Sequence, residues 1–372
     1  MNHRPVHNGR RHAGATMTEA LVALVCLLAA SAVMLPALGQ FNQTVTVSRS
    51  MNKLRVLHEA LECYAADWND RQFTGVPDDL GVVGGSCGAY VTEFGCYPTL
   101  FAGLGCNGAF WAFWGGCGAG GSCQGNNVGT RPILFDPDLP IGVFRLPQVK
   151  PIHDYLDGRF YSPTFFARLD HKAFTAALPA FSVDCEFVED VGTIPSSYMF
   201  SPAAMYHPDV LRAPSRGGFQ HPDTFDQGYQ SPSVTQVRHP GLKTWMMEHN
   251  WLRNPPAECN PDYQDIYGGF SADCDPYLFN HGADAEPLAL FFDGSVEPLR
   301  TGDVAEDDAK VLSRTGGVDG LWSRDTPFGE SGYFGDLSFD GIVVSHHVLT
   351  TGGILGRDRL RRPAATATGV AR

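Results

Sequence analysis

A long apolar run near the N-terminus constrains this chain more than any other feature. The stretch from Ala20 to Leu38 is almost wholly apolar, and no charged side chain occurs between Glu19 and Arg49. A helix needs about 20 apolar residues to cross the ~30 Å hydrocarbon core of a bilayer. The sequence therefore predicts a transmembrane helix over residues 15–40.

The residues just before this run are equally informative. A basic leader, residues 1–14, ends in Gly14, and the carboxylate of Glu19 follows five residues later. A carboxylate in an apolar environment costs roughly 2.5 to 3.5 kcal/mol, so it usually has a charged partner. Cleavage after Gly14 would give Ala15 a free α-amino group about one helical turn from Glu19, on the same or a neighbouring copy. The sequence thus predicts helices that pack with this charge pair neutralised.

These features resemble the N-terminal signal of type IV prepilins and of the pseudopilins of type II secretion. The resemblance rests on Gly14, Glu19, the apolar run and Pro36, which falls where that family commonly has a helix-kinking proline. It implies that prepilin peptidase cuts between Gly14 and Ala15, that Ala15 is N-methylated, and that Glu19 guides subunit docking. Ala15 departs from the family, which more often has an aromatic residue there.

The resemblance also implies a function. The chain would be a structural subunit and not an enzyme, assembled through its N-terminal helix into a type II secretion pseudopilus or a type IV pilus-like filament. Its partners would be prepilin peptidase, other subunits and the inner-membrane assembly platform. Because arginines stay cytoplasmic, the predicted location is the bacterial inner membrane, single-pass with a periplasmic head, and then the filament. The alternative is a membrane-anchored extracytoplasmic binding protein or enzyme, and a secretory signal peptide is the competing interpretation of the leader.

Composition narrows the class of the rest of the chain. The formal net charge is -13, which disfavours nucleic acid as a partner. Charged residues make up only 18%, beside 42 Gly and 26 Pro, which is typical of a loop-rich and largely β structure. The predicted fold class is therefore α+β, a long N-terminal transmembrane and amphipathic helix followed by an antiparallel, pilin-like head.

The domain organisation follows from the order of these patterns. Residues 41–72 form an amphipathic stem, and residues 73–350 form the head with a glycine- and cysteine-rich insertion at 81–130. The basic, Ala/Thr-rich residues 351–372 are predicted to be a disordered tail. The stem prediction depends on apolar residues at three- and four-residue steps, namely Val47, Met51, Leu54, Leu57, Leu61, Tyr64 and Trp68.

The cysteines favour disulfides over a metal site. The insertion carries Cys87, Cys96, Cys106, Cys117 and Cys123 without a C-x-x-C pair, so the spacing does not fit a zinc knuckle. An oxidising compartment would permit disulfides. Cys259 and Cys274, which bracket a short acidic loop, are the most plausible single pair.

The head carries one strong local signal. Asp293-Gly294 lies between two apolar runs, and such a pair predicts a β-hairpin with a type I′ turn. Residues 133–135, 197–200 and 244–248 are also predicted strands. His281 followed by Asp293-Gly294 resembles the C-terminal signature of a group of large-headed bacterial prepilin-like proteins, with eleven intervening residues where the usual form has nine. His281 is expected to hydrogen-bond the hairpin.

Two further patterns bear on chemistry. Gly84 to Gly88 fits the nucleophile-elbow pattern around Ser86, but no strand is predicted before it and no helix after it. Acidic residues cluster at Asp303, Glu306, Asp307 and Asp308 without EF-hand spacing. No cofactor is expected. The resemblance raises calcium, which major pseudopilins hold near the C-terminal sheet, as a candidate ion without assigned ligands.

Overall fold

The computed structural model describes residues 17–114, 130–136, 142–248, 285–330, 332 and 345–361, with the backbone alone for residues 19, 20, 29–43, 113 and 114. The chain divides into two compact units, residues 1–48 and residues 49–372. The described residues form α-helices, short 3-10 helices and two small antiparallel sheets. The fold class is α+β.

The α-helices are α1 Met17–Asp67, α2 Cys87–Phe94, α3 His171–Ala177, α4 Pro202–Met205 and α5 Thr301–Arg314. Much of the remaining head is built from single 3-10 turns, many of which begin with proline at the first or second position. These turns are Leu80–Val83, Val143–Arg145, Lys150–Tyr155, Pro163–Phe165, Leu178–Ser182, Glu189–Val191, Pro214–Arg216, Pro222–Thr224, Val234–Gln236 and Gly353–Leu355.

The strands are β1 Thr99–Leu104, β2 Phe110–Trp114, β3 Tyr198–Phe200, β4 Thr244–Glu248, β5 Leu288–Phe291 and β6 Val296–Pro298. β1 and β2 form a two-stranded sheet, with an irregularity between Phe101 and Gly103. The other four strands form one antiparallel sheet in the order β3-β4-β5-β6. Two of the predicted strands, 197–200 and 244–248, correspond to β3 and β4, whereas residues 133–135 form no strand.

The predicted membrane-spanning helix is not found. Among the described residues, no helix combines enough length with enough apolar character to cross a bilayer. Residues 20–38 belong to α1, which is 51 residues long in all and whose later turns carry charged residues such as Arg49, Lys53 and Glu59. The transmembrane part of the predicted fold class is therefore wrong, and what remains is a long N-terminal helix within an α+β fold.

The stem half of α1 buries the middle of the apolar stripe that its sequence spacing predicts, whereas Trp68, also assigned to that stripe, lies after the helix and is 54% exposed. Leu54, Leu57 and Leu61 are each at most 2% exposed, as expected for one face of a helix packed on a core. The helix ends at Asp67, five residues before the predicted boundary. Asn69 and Asp70 adopt left-handed backbone angles there, and Asp70 N donates to Ala65 O at 2.8 Å. Asn and Asp tolerate this conformation better than other non-glycine residues.

The four-stranded sheet is the centre of the second unit. Every residue of β4 and of β5 is buried, which means that both faces of these strands are covered. Trp245 stacks on Phe292 with ring centroids 4.6 Å apart and meets His58 of α1 edge-on at 5.6 Å. The stem of α1 is therefore part of the core that covers the sheet.

Candidate functional site

Of the predicted processing and assembly residues, only Glu19 and Pro36 lie in the described part of the chain. Gly14 and Ala15 fall outside the described residues. Glu19 and Pro36 lie within α1, which continues on both sides of Pro36, and the structure describes only the backbone of both.

Part of the apolar run lies exposed on α1. Seven large apolar side chains between residues 17 and 28 are 56% to 89% exposed. They are Met17, Leu21, Val22, Leu24, Val25, Leu27 and Leu28. A contiguous exposed apolar surface of this kind is characteristic of an interaction site.

The other half of α1 is held by a buried polar contact. Ser50 is 4% exposed and its hydroxyl donates to Glu248 Oε1 at 2.7 Å, while Ser50 Oγ and the hydroxyl of Tyr198 are also 2.7 Å apart. Glu248 Oε2 accepts the backbone N–H of Leu288 at 2.9 Å. Burial, and then the nearby Glu248 carboxylate, raise the pKa of Tyr198 well above its usual value. One carboxylate therefore joins α1 to strands β3, β4 and β5.

The predicted Asp293-Gly294 turn connects β5 and β6, which pair antiparallel. Gly294 N donates to Phe291 O at 2.9 Å, and Phe291 N donates to Ser295 O at 2.9 Å. Gly294 has φ +78°, whereas Asp293 is not among the described residues with positive φ. The connection is therefore a three-residue turn with one left-handed glycine and not the predicted type I′ turn. The carboxylate of Asp293 accepts from Ser295 N at 3.0 Å. His281 lies outside the described residues.

A side chain at Gly294 would meet two obstacles, the positive φ of the backbone and the close approach of His58. A comparison of two substitutions separates their costs. A Cβ at Gly294 would lie 2.6 Å from His58 Nε2, whereas Gly316, with a similar φ of +68°, has nothing within 4 Å of the corresponding position. We expect Gly316→Ala to cost about 1–2 kcal/mol through the backbone angle alone. Gly294→Ala should cost about 1–3 kcal/mol more because the hairpin is forced away from α1. Urea unfolding of both variants measures the difference, and equal losses would contradict the packing of the hairpin on α1.

A fully buried ion pair lies at the start of β4. Lys243 and Asp358 have no exposed side-chain surface, and Lys243 Nζ lies 3.0 Å from Asp358 Oδ2. The ammonium also donates to Ser201 Oγ at 2.9 Å and to Thr350 Oγ1 at 2.7 Å. All three donors of the lysine are thereby satisfied, which a buried ammonium requires.

The carboxylate of Asp358 is equally well satisfied. Its oxygens accept from Thr244 N at 2.8 Å, His347 N at 2.8 Å and Thr350 Oγ1 at 2.5 Å. Burial alone would raise the pKa of Asp358, but the Lys243 ammonium and these hydrogen bonds outweigh it and lower the pKa to about 2. Burial lowers the pKa of Lys243, and the Asp358 carboxylate opposes this shift.

This network corrects the predicted C-terminal tail. Residues 351–361 belong to the folded head, where Asp358 and Arg359 are 1% and 3% exposed. Arg359 lies over the ring of Phe291 at 4.1 Å and donates to Glu297 at 2.8 Å. The sequence around Asp358 is dominated by arginines and by Gly, so no apolar pattern indicates that it is buried.

Two residues of the acidic cluster, Asp307 and Asp308, have protein partners. Asp308 forms an ion pair with Arg324 at 2.5 Å and accepts Leu321 N at 2.6 Å, and Asp307 pairs with Lys310 at 3.0 Å. In the described part of the chain, no group of three or more His, Cys, Asp or Glu side chains is placed to hold a metal ion.

One cysteine of the insertion forms a disulfide with a cysteine later in the chain, whereas Cys96 is not disulfide-bonded. Cys106 forms a disulfide with Cys185, which joins the β1–β2 loop to the segment before Phe187. Sequence spacing gave no indication of Cys185 as a partner. Cys259 and Cys274 lie outside the described residues.

Ser86 is a helix cap and not a nucleophile elbow. Its Oγ accepts Ala89 N at the start of α2, at 3.3 Å, and a 3-10 turn precedes it where the elbow would need a strand. His153 is buried, at 3% exposure, with Nε2 2.9 Å from Gln148 O. Burial lowers the pKa of His153.

No protein-family model, curated protein or solved structure matches this chain. Its function is therefore inferred from its own residues.

Proposed function

We propose that this protein is a structural subunit, similar to type IV pilins and pseudopilins, that assembles into a filament through its N-terminal helix. The observation that carries the proposal is the exposed apolar surface on the first part of α1, whose leucine and valine side chains from Leu21 to Leu28 are 56% to 68% exposed. Burying apolar surface stabilises by about 25 cal/mol per Å², so such a surface favours packing with copies of itself. The occupant of this surface is the same helix of neighbouring subunits.

The sequence before this surface supplies the charge pair that such packing needs. Removal of the leader after Gly14 leaves an ammonium at Ala15, with Glu19 four residues away. Opposite charges about 4 Å apart attract by roughly 4 kcal/mol at the effective dielectric constant typical of a protein surface. Pairing of Glu19 with the terminus of a neighbour sets the stagger between helices, and methylation of Ala15 keeps the terminal charge.

The head supports the same proposal in two ways. The stem of α1 is tied to the sheet of the head through Ser50 and Glu248. The Cys106–Cys185 disulfide is suited to an oxidising compartment outside the cytoplasm. The partners in this proposal are prepilin peptidase, further subunits and an inner-membrane assembly platform.

Substitution of Glu19 tests the proposal. Expressed in the native host, Glu19→Ala should be cleaved normally and carry methyl-Ala15, yet be lost from sheared filaments, because the docking carboxylate is gone. Mass spectrometry of the N-terminus and quantification of the subunit in the filament fraction give the two readouts. Glu62→Ala is the matched control, since Glu62 is an exposed carboxylate later on α1. It should assemble as the unsubstituted chain does.

Two outcomes would contradict the proposal. If the purified native chain still begins at Met1, the peptidase signal is not used. If Glu19→Ala enters filaments as well as Glu62→Ala does, the carboxylate has no docking role.

A further inference from the structure

The second unit contains an open cleft of about 510 Å³ at the C-terminal end of α1. One wall is formed by Tyr64 of α1 and by Trp68, just after the end of that helix, and another by Thr99 to Phe101 of β1. The loop from Arg71 to Asp79 and the ring of Tyr90 complete it. This volume lies within the range of about 300–1,000 Å³ that is typical of small-molecule sites.

Two aromatic side chains that line the cleft, Trp68 and Phe101, are exposed to solvent. Trp68 is 54% exposed and Phe101 is 42% exposed. Trp68 stacks on Tyr64 with ring centroids 5.6 Å apart and planes inclined by 17°. Tyr64 in turn meets Phe73 and Tyr155 edge-on at 5.3 Å and 5.6 Å. One face of Trp68 is therefore supported by packed rings, and the ring presents a pre-organised flat surface.

The polar groups of the cleft are fixed by one another. Arg71 and Asp78 form an ion pair, and Asp78 also accepts Ser231 N at 2.7 Å. Asp79 accepts the hydroxyl of Tyr90 at 2.9 Å. Arg71 and Asp78 nevertheless keep 43% and 31% of their side-chain surface exposed. They can therefore offer further donors and acceptors at set positions without breaking the existing contacts.

These charges select against ionic ligands. An anionic ligand would approach the carboxylates of Asp78 and Asp79 on a protein of net charge -13. A cationic ligand would compete with Arg71 and the Tyr90 hydroxyl for carboxylates that these groups already hold. A neutral ligand avoids both costs, and desolvating it is less expensive than desolvating an ion.

A neutral ligand for this cleft needs one flat apolar face and several hydroxyl groups. The C–H face of a pyranose ring stacks on an indole or phenyl ring, and its hydroxyls both donate and accept hydrogen bonds. We propose that this cleft binds a neutral oligosaccharide, with Trp68 and Phe101 as stacking surfaces and the Arg71–Asp78 pair as the hydrogen-bonding edge. The site uses only residues of the second unit, so the proposal stands independently of filament assembly.

Calorimetric titration of the purified full-length chain tests the proposal with four neutral hexasaccharides, cellohexaose, maltohexaose, laminarihexaose and chitohexaose. We expect at least one to bind with a Kd between roughly 10 μM and 1 mM. Trp68→Ala should weaken that binding at least about tenfold, as truncation of a central aromatic contact does. Phe101→Ala, on the other wall, should also weaken it.

Trp111→Ala is the matched control. Trp111 is 39% exposed on β2, it is not part of the cleft lining, and its ring stacks on Phe187. The affinity of the Trp111→Ala variant for the sugar should stay within about twofold of that of the unsubstituted chain. The proposal is overturned if none of the four sugars binds at 1 mM, or if Trp68→Ala and Trp111→Ala weaken binding equally. Binding of heparin or polylysine in preference to every neutral sugar would also overturn it.

Discussion

Asp358→Asn is expected to lower the free energy of unfolding by about 3–5 kcal/mol, because it leaves the buried ammonium of Lys243 without its counter-charge. Both side chains are fully buried and lie 3.0 Å apart. The substitution also weakens the hydrogen bonds that Thr244 N and His347 N donate to this side chain, both at 2.8 Å. Urea unfolding followed by circular dichroism measures the loss.

Two further variants show whether the loss comes from an unpaired charge. Lys243→Met combined with Asp358→Leu should recover much of the stability, since apolar residues can replace a buried pair once both charges are gone. Asp303→Asn, which breaks the exposed Arg300–Asp303 pair, should change stability by less than about 1 kcal/mol. A loss for Asp358→Asn no larger than that for Asp303→Asn would rule out the buried pair as a structural centre.

The same carboxylate predicts a pH dependence at low pH. The pKa of Asp358 is lowered from 3.8 to about 2 in the folded protein, so between these values the unfolded chain binds more protons than the folded one. Its contribution to stability is therefore complete above about pH 4 and is lost as the pH falls towards 2. In Asp358→Asn this part of the acid sensitivity should be absent.

Glu248→Ala is expected to lower the free energy of unfolding by about 2–4 kcal/mol. Its removal leaves the buried N–H of Leu288 without the acceptor at 2.9 Å and takes away the acceptor of Ser50 Oγ at 2.7 Å. Each buried donor left unsatisfied costs about 1–3 kcal/mol. The loss should be accompanied by faster hydrogen exchange in α1 between Ser50 and Leu61, because the contact joins that helix to the sheet.

Glu248→Gln separates the hydrogen bonds from the charge. Glutamine keeps one carbonyl oxygen to accept from Leu288 N. Its amide N–H can donate to Ser50 Oγ if the Ser50 hydroxyl then donates to the hydroxyl of Tyr198. It should therefore restore at least half of the stability lost in Glu248→Ala. If exchange in α1 is unchanged in Glu248→Ala, then apolar packing alone holds the stem, and the polar contact contributes little.

Local patterns located several elements of the head. The stripe of Leu54, Leu57 and Leu61 predicted the buried face of α1, and the apolar runs around residues 198–200 and 244–248 predicted β3 and β4. The turn at Asp293-Gly294 lies between β5 and β6. These signals are readable because helix period, strand composition and turn chemistry depend on neighbours close in sequence.

The membrane-spanning helix shows the limit of such patterns. An apolar run of sufficient length predicted a span over residues 15–40, but the described part of α1 does not meet that requirement. Hydropathy measures how readily a segment leaves water. Whether the segment then enters lipid or packs against protein depends on what surrounds it. The cleft at Tyr64, Trp68 and Phe101 was likewise not predicted, because its walls come from separate elements.

The amino-acid pattern alone determined the long helix, its buried stripe and the central antiparallel strands, since each depends on interactions over a few residues. Only the tertiary structure decided that Lys243 and Asp358, 115 positions apart, form a buried pair and that residues 351–361 belong to the core. The physical reason is that a charged side chain is more stable in water than in the protein interior unless the fold places a partner beside it. That partner is supplied by the fold, through contacts that no local pattern encodes.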